Sequence, residues 1–190
     1  MVKFPSIYID TNICRDCIKR RSLDSIKLLT SITDKNWKCV TSIFTFMELI
    51  DIEKDDLFAH KKIRHGWEIN KIWREKHNKE LTTDEMEEVW DQIRGFRQTF
   101  RDIKIETLDE DGWIMALRLS AKSNLSAVDI IHLSVAWQSK CDVVVTSDQH
   151  FIVHGNNFLS ANKVSNKMKI CNVSKVQETL RGLGYKRIRL

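Results

Sequence analysis

Ile7-Tyr8-Ile9-Asp10-Thr11-Asn12 decides how the rest of the chain is read. Three apolar residues close on an acid, the pattern of a buried strand that carries a carboxylate at its C-terminal end. No glycine-rich turn follows, so the first strand does not open a dinucleotide-binding crossover. A helical stretch comes next instead, first over 13–21 and then with Ile26, Leu28, Leu29 and Ile32 behind a cap at Asp24 or Ser25.

Working outward, strands and helices alternate. A second strand is expected at 38–41, and Ser42 or Thr45 opens a helix that contains Glu48. Residues 103–107 alternate apolar and polar, and a helix follows over about 109–122. Ser126 caps a further helix over 127–140, which leads into Val143-Val144-Val145-Thr146 and then Asp148. Residues 169–173 give a last strand, and Ser174 with Gln177 forms a capping box for a final helix. The segment 154–167 reads as polar and irregular. This alternation predicts an α/β fold, a three-layer α/β/α arrangement around an open parallel sheet of about five strands.

Residues 55–102 interrupt the alternation. They read as two helices broken around 78–82, an inserted helical hairpin. In the second, Met86, Val89, Trp90, Ile93, Phe96 and Phe100 make one apolar stripe, and Thr82 with Glu85 is a capping box. The first carries Phe58, Ile63, Trp67, Ile69, Ile72 and Trp73 around more of its circumference than one neighbour buries, so a further cover is expected over Trp67 or Trp73. Seven basic residues and two acids lie between 57 and 79, and six acids with no base between 80 and 91.

With 190 residues, 42% hydrophobic content, one proline and six glycines, the chain is expected to be a single domain over 1–190 without a linker. No signal pattern or spanning apolar run is seen, and five irregularly spaced cysteines fit a reducing compartment, so a cytoplasmic protein is expected, with no membrane partner. Cys14 and Cys17 form a lone C-x-x-C, which reads as two reduced thiols. Net charge is +5. Eight basic residues against Glu178 between 160 and 190 make either a solvated tail or a holder of phosphate backbones, with Arg181, Lys186, Arg187 and Arg189 as the candidate RNA contacts.

In open α/β sheets the ligand crevice lies beyond the C-terminal strand ends, where helix N-termini also point. Asp10 and Asp148 stand at strand ends, Asp129 in the first turn of its helix, and Glu48 near the start of the helix after the second strand. Each has an ordinary alternative: macrodipole partner for Asp129, turn residue for Asp148, solvated helix residue for Glu48. If they converge, crowded carboxylates require a hard divalent cation, and oxygen ligands select Mg2+ or Mn2+ over zinc.

These residues resemble the PIN-domain family in four ordered motifs spanning 6 to about 151: Tyr8-Ile9-Asp10-Thr11-Asn12; Phe46-Met47-Glu48-Leu49; Ser126-Ala127-Val128-Asp129-Ile130-Ile131-His132-Leu133; and Val145-Thr146-Ser147-Asp148-Gln149-His150-Phe151. The resemblance implies a five-stranded parallel sheet sandwiched by helices and an Mg2+- or Mn2+-dependent endoribonuclease that leaves a 3′-hydroxyl. Many similar proteins are toxins neutralised by a cognate antitoxin, and homodimers are common among them. Carried over, Asp10, Glu48, Asp129 and Asp148 are the catalytic, metal-holding acids, and Asn12, Thr146 and Ser147 support them. Two departures stand out. His150 occupies a place where many relatives have a further acid, which weakens any second metal, and the hairpin is longer than in the smallest toxins. The alternative is a catalytically weak PIN-like scaffold that binds RNA or protein. An aspartyl-phosphate phosphatase would need a second aspartate where Asn12 stands.

Overall fold

The computed structural model describes residues 4–162 and 168–185. Its centre is a five-stranded sheet built from β1 (Ser6–Ile9), β2 (Lys38–Ser42), β3 (Lys104–Glu106), β4 (Val143–Val145) and β5 (Lys169–Cys171). The order is β3-β2-β1-β4-β5, and every pairing is parallel. From β1 the chain builds outward to β2 and β3, then returns to β1's other side for β4 and β5. That reversal makes the gap between β1 and β4 the switch point, where a parallel sheet opens a crevice at its carboxyl edge. Ile9 pairs with Val145, so Asp10 and Thr146 leave the sheet side by side.

Alternation along the strands divides the core into two layers. Ile7, Ile9, Cys39, Val143 and Val145 face helices α1 (Thr11–Ile18), α2 (Leu23–Asp34), α3 (Ile43–Arg64), α5 (Thr83–Thr99) and α9 (Val176–Gly182). Tyr8, Val40, Val144 and Ile170 face α6 (Glu110–Lys122), α7 (Ala127–Gln138) and α8 (Gln149–Asn162). This is the expected three-layer α/β/α arrangement.

Local chemistry sets most helix starts. Ser42, Asp109 and Ser126 accept hydrogen bonds from first-turn amides of α3, α6 and α7, and Thr82 with Glu85 closes the expected capping box on α5. Two caps differ from expectation. Ser22, not Asp24 or Ser25, caps α2. The segment before α9 begins with a 3-10 turn, Val173–Lys175, capped by Asn172 in place of Ser174 with Gln177.

Two larger differences have clear causes. The segment expected to be irregular from 154 is largely α8, because Phe151, Gly155, Phe158 and Leu159 recur at helical spacing and are buried. Gly155 lets this helix lie close to β5: a β-carbon would come 2.3 Å from Ile170 Cδ1, whose end would have to shift. The helix of Glu48 and the first arm of the hairpin are a single helix, α3. Its acidic middle does not interrupt it, since Asp51 and Asp55 bind Lys79, Glu53 pairs with Lys19, and Asp56 binds Arg15. The helix stops at His65, where Gly66 takes a positive φ of 74°. A short α4 (Ile69–Glu75) and a 3-10 turn (Lys76–Asn78) then lead to α5. Trp67 is half-covered by the Lys62 and Lys71 ammonium groups, 4.3 and 4.0 Å from its ring centre, while Trp73 stays 63% exposed.

Candidate active site at the carboxyl edge of the sheet

Asp10 ends β1 and starts α1. Its backbone is extended, so its side chain folds back to accept a hydrogen bond from the Thr11 amide at 2.7 Å as the cap of that helix. The other carboxylate oxygen accepts from Asn12 Nδ2 at 2.7 Å and from Thr146 Oγ1 at 2.6 Å. Asp10 is buried, and burial, helped by the Glu48 charge, pushes its carboxyl above the ordinary range against the opposing pull of His132 and of the Thr146 and Thr11 hydrogen bonds.

Glu48 reaches the same place from α3. Its Oε2 accepts from Thr11 Oγ1 at 2.5 Å and from His132 Nε2 at 2.6 Å. Desolvation opposes its charge, but the His132 and Thr11 hydrogen bonds win and hold the carboxyl below its usual range. His132, buried on α7, is also 3.7 Å from Asp10 Oδ1, and its Nδ1 is hydrogen bonded to the buried Tyr8 hydroxyl at 2.6 Å. Burial alone would lower the imidazole pKa, yet Glu48, Asp10 and Asp129 together raise it.

Thr146 joins the two strand ends. Its hydroxyl donates to Asp10 and accepts from Asn12 Nδ2 at 2.8 Å and from the Asp148 amide at 3.0 Å. Asn12 Oδ1 accepts from the Ser147 amide at 2.9 Å, so Ser147 contributes backbone and its side chain stays exposed. Asp148 is exposed and caps α8, accepting from the Phe151 amide at 3.0 Å. Asp129 closes a capping box with Ser126.

The sequence-predicted acids are therefore gathered unequally. Asp10 and Glu48 are linked directly through Thr11 and His132, with Asn12 and Thr146 fixed around Asp10. Asp148 joins through Thr146, and Asp129 touches the centre only through its field on His132. Of the cationic candidates, Arg181 is exposed on α9, while Lys186, Arg187 and Arg189 lie outside the described residues. Tyr8, Thr11 and His132 were not among the predicted site residues. One signal could have found His132: three residues after Asp129, it lies on the same helix face as that acid.

As a donor set, carboxylates supported by hydroxyl and amide groups suit a hard divalent cation, and the two inner carboxylates, one forced upward by burial, want positive charge. Among the described residues no three His, Cys, Asp or Glu side chains already stand in metal-holding geometry. The fit lies in the chemistry of the donors, not in a finished cage.

The PIN domain profile matches residues 7–156 of this chain. A comparison with curated proteins gives no match. Among solved structures, a chain in the crystal structure of DNA-bound VapBC from Salmonella typhimurium is similar with a TM-score of 0.53 at 17% identity, covering 90% of this chain and 99% of that one. At that identity the likeness concerns the fold.

Proposed function

Since the chain belongs to the PIN domain family, whose members are generally nucleases, we propose that it is an Mg2+- or Mn2+-dependent endoribonuclease acting through Asp10, Glu48, Asp129 and Asp148. One observation carries this reading: Asp10 and Glu48, from different elements, both accept from Thr11 beside the sheet's switch point, and His132 donates to Glu48 while lying 3.7 Å from Asp10. Helices α1, α3 and α8 all begin at this edge, following β1, β2 and β4. Their N-terminal dipole ends favour an anionic phosphodiester there, while the bare carboxylates repel it.

A divalent ion, when bound, neutralises these carboxylates and lowers the pKa of a coordinated water. The four acids would hold it. Asn12 and Thr146 keep Asp10 in one rotamer, the Ser147 amide ties the β4 end to the β1 end through Asn12, and the Asp148 amide holds the Thr146 hydroxyl. Asp129 and Asp148 sit in or beside first helical turns, where each accepts a hydrogen bond from a backbone amide.

Arg181, together with Lys186, Arg187 and Arg189 from the sequence, would supply positive charge for the RNA backbone. The partner would be an antitoxin, as the resemblance to toxin nucleases suggests and the VapBC assembly of the similar structure supports. A homodimer in the cytoplasm fits the same reading; no helix among the described residues is long and apolar enough to cross a membrane.

One feature favours a second reading, a catalytically weak scaffold that binds RNA or protein: no finished metal cage exists among the described residues. Incubating the protein with single-stranded RNA, with Mg2+ or Mn2+ and then with excess EDTA, separates the two. Metal-dependent cleavage abolished by EDTA supports the nuclease, and binding without cleavage under either metal supports the scaffold.

A further inference from the structure

We propose that His132, braced from behind by Tyr8, is a positioning residue that holds Glu48 in place for a divalent cation. The inference rests on the nuclease reading above but assigns a role to two residues outside its acids. Tyr8 is completely buried and His132 is 1% exposed, and the 2.6 Å contact between the Tyr8 hydroxyl and Nδ1 leaves the imidazole no freedom to swing. Its other nitrogen donates to Glu48 Oε2, which also accepts from Thr11. Two donors from two elements thus grip one carboxylate oxygen. Glu48 Oε1 has no partner among the described residues, and the Glu48 side chain remains 31% exposed.

This arrangement distinguishes positioning from competition. If His132 stood in for the cation, it would have to move aside on metal binding, and Tyr8 prevents that. If it anchors, the bond to Oε2 persists and Oε1 is presented outward already ordered. Partners behind a ligating carboxylate behave this way, and their loss typically weakens metal affinity about 10- to 100-fold. Tyr8 reaches the site because strand alternation turns it to the α7 side of the sheet while Ile7 and Ile9 face the other core. The same β1 residues that build the core therefore aim the histidine.

The test is Mn2+ binding to the full chain without RNA, followed by calorimetry or by the loss of free-ion electron paramagnetic signal, with thermal melting alongside. His132→Ala should weaken Mn2+ binding about 10- to 100-fold. Tyr8→Phe, nearly isosteric and safe for folding, should weaken it less. His132→Gln, which restores a side-chain N–H, should recover part of the loss. Tighter binding in both His132→Ala and His132→Gln would make His132 a competing charge and overturn the proposal, as would unchanged affinity in Tyr8→Phe and His132→Ala. If the unaltered protein itself binds no Mn2+, the metal-nuclease reading fails and this role falls with it, an outcome separable from failure of the variants alone.

Discussion

The carboxyl edge of the sheet and the tip of the α3–α5 hairpin sit at opposite extremes of the same molecule. At the edge, Asp10, Asn12 and Thr146 are joined by short hydrogen bonds, His132 is bonded to Glu48 3.7 Å from Asp10, and Asp10, Thr146 and His132 are buried. At the tip, Ile63, Ile69 and Trp73 are more than half exposed, and Lys61 near the end of α3 pairs with Glu85 at the start of α5. Helix α3 runs through both, with Glu48 in its second turn and Ile63 near its end, about 22 Å apart at 1.5 Å per residue. One rigid helix thus connects a region that is fixed for chemistry to one left open for contact. Polar groups buried at high desolvation cost signal a site, whereas apolar groups left in water signal a surface whose partner lies elsewhere.

The largest expected effect on stability tests this contrast within α3. Leu49 is fully buried immediately after Glu48, and Leu49→Ala should cost about 2–5 kcal/mol in urea unfolding. A loss below about 1 kcal/mol would mean that the edge is not braced by the core beneath it.

A second effect has a direction set by the buried acids. Asp10 is pushed upward by burial, so its ionisation works against folding, and metal-free stability should fall as pH rises from about 4 through its raised folded value. His132 adds to the same trend: its contribution is fully present below about pH 6.5 and is lost as pH climbs through its raised value. Glu48 acts oppositely, contributing above about pH 4.3 and losing that contribution as pH falls through its lowered value. Asp10→Asn should therefore flatten the decline in melting temperature that begins at about pH 4. The absolute gain at neutral pH is small, because the new amide would face the Asn12 donor. An unchanged pH slope would show that Asp10 does not carry the burial strain.

The contrast also explains what could be read in advance. The strands were legible because β-branched runs such as Val143-Val144-Val145 have no other comfortable state; Asp10, Asp129 and Asp148 stood out because each follows a strand or opens a helix, and Glu48, inside its helix, only through the order of the motifs. The unbroken length of α3 was not, since its acidic middle is neutralised by Lys19, Arg15 and Lys79, residues far away in sequence. Helix α8 was hidden by polar residues on its outer face, although its buried stripe has ordinary helical spacing. Tyr8 looked like one more core residue, and only the sheet shows that its hydroxyl reaches across to α7.

The hairpin gives smaller effects. Lys79→Ala should cost at most about 1 kcal/mol, because Asp51 is largely exposed and solvent screens the pair. Trp73→Ser should change monomer stability by no more than about 0.5 kcal/mol, as expected for an exposed side chain. If the tip is the homodimer contact, the same substitution halves the mass in solution; an unchanged dimer moves that contact elsewhere.

The central claim is that the buried Asp10 carboxylate makes this edge a metal-dependent nuclease site, and single-turnover cleavage of a labelled RNA by the unaltered chain and Asp10→Asn tests it most directly. Cleavage in Mg2+ or Mn2+ that falls on the order of 1000-fold or more in a folded Asp10→Asn variant, and stops in excess EDTA, is the predicted result. Equal cleavage by both chains, or full activity in EDTA, would contradict it.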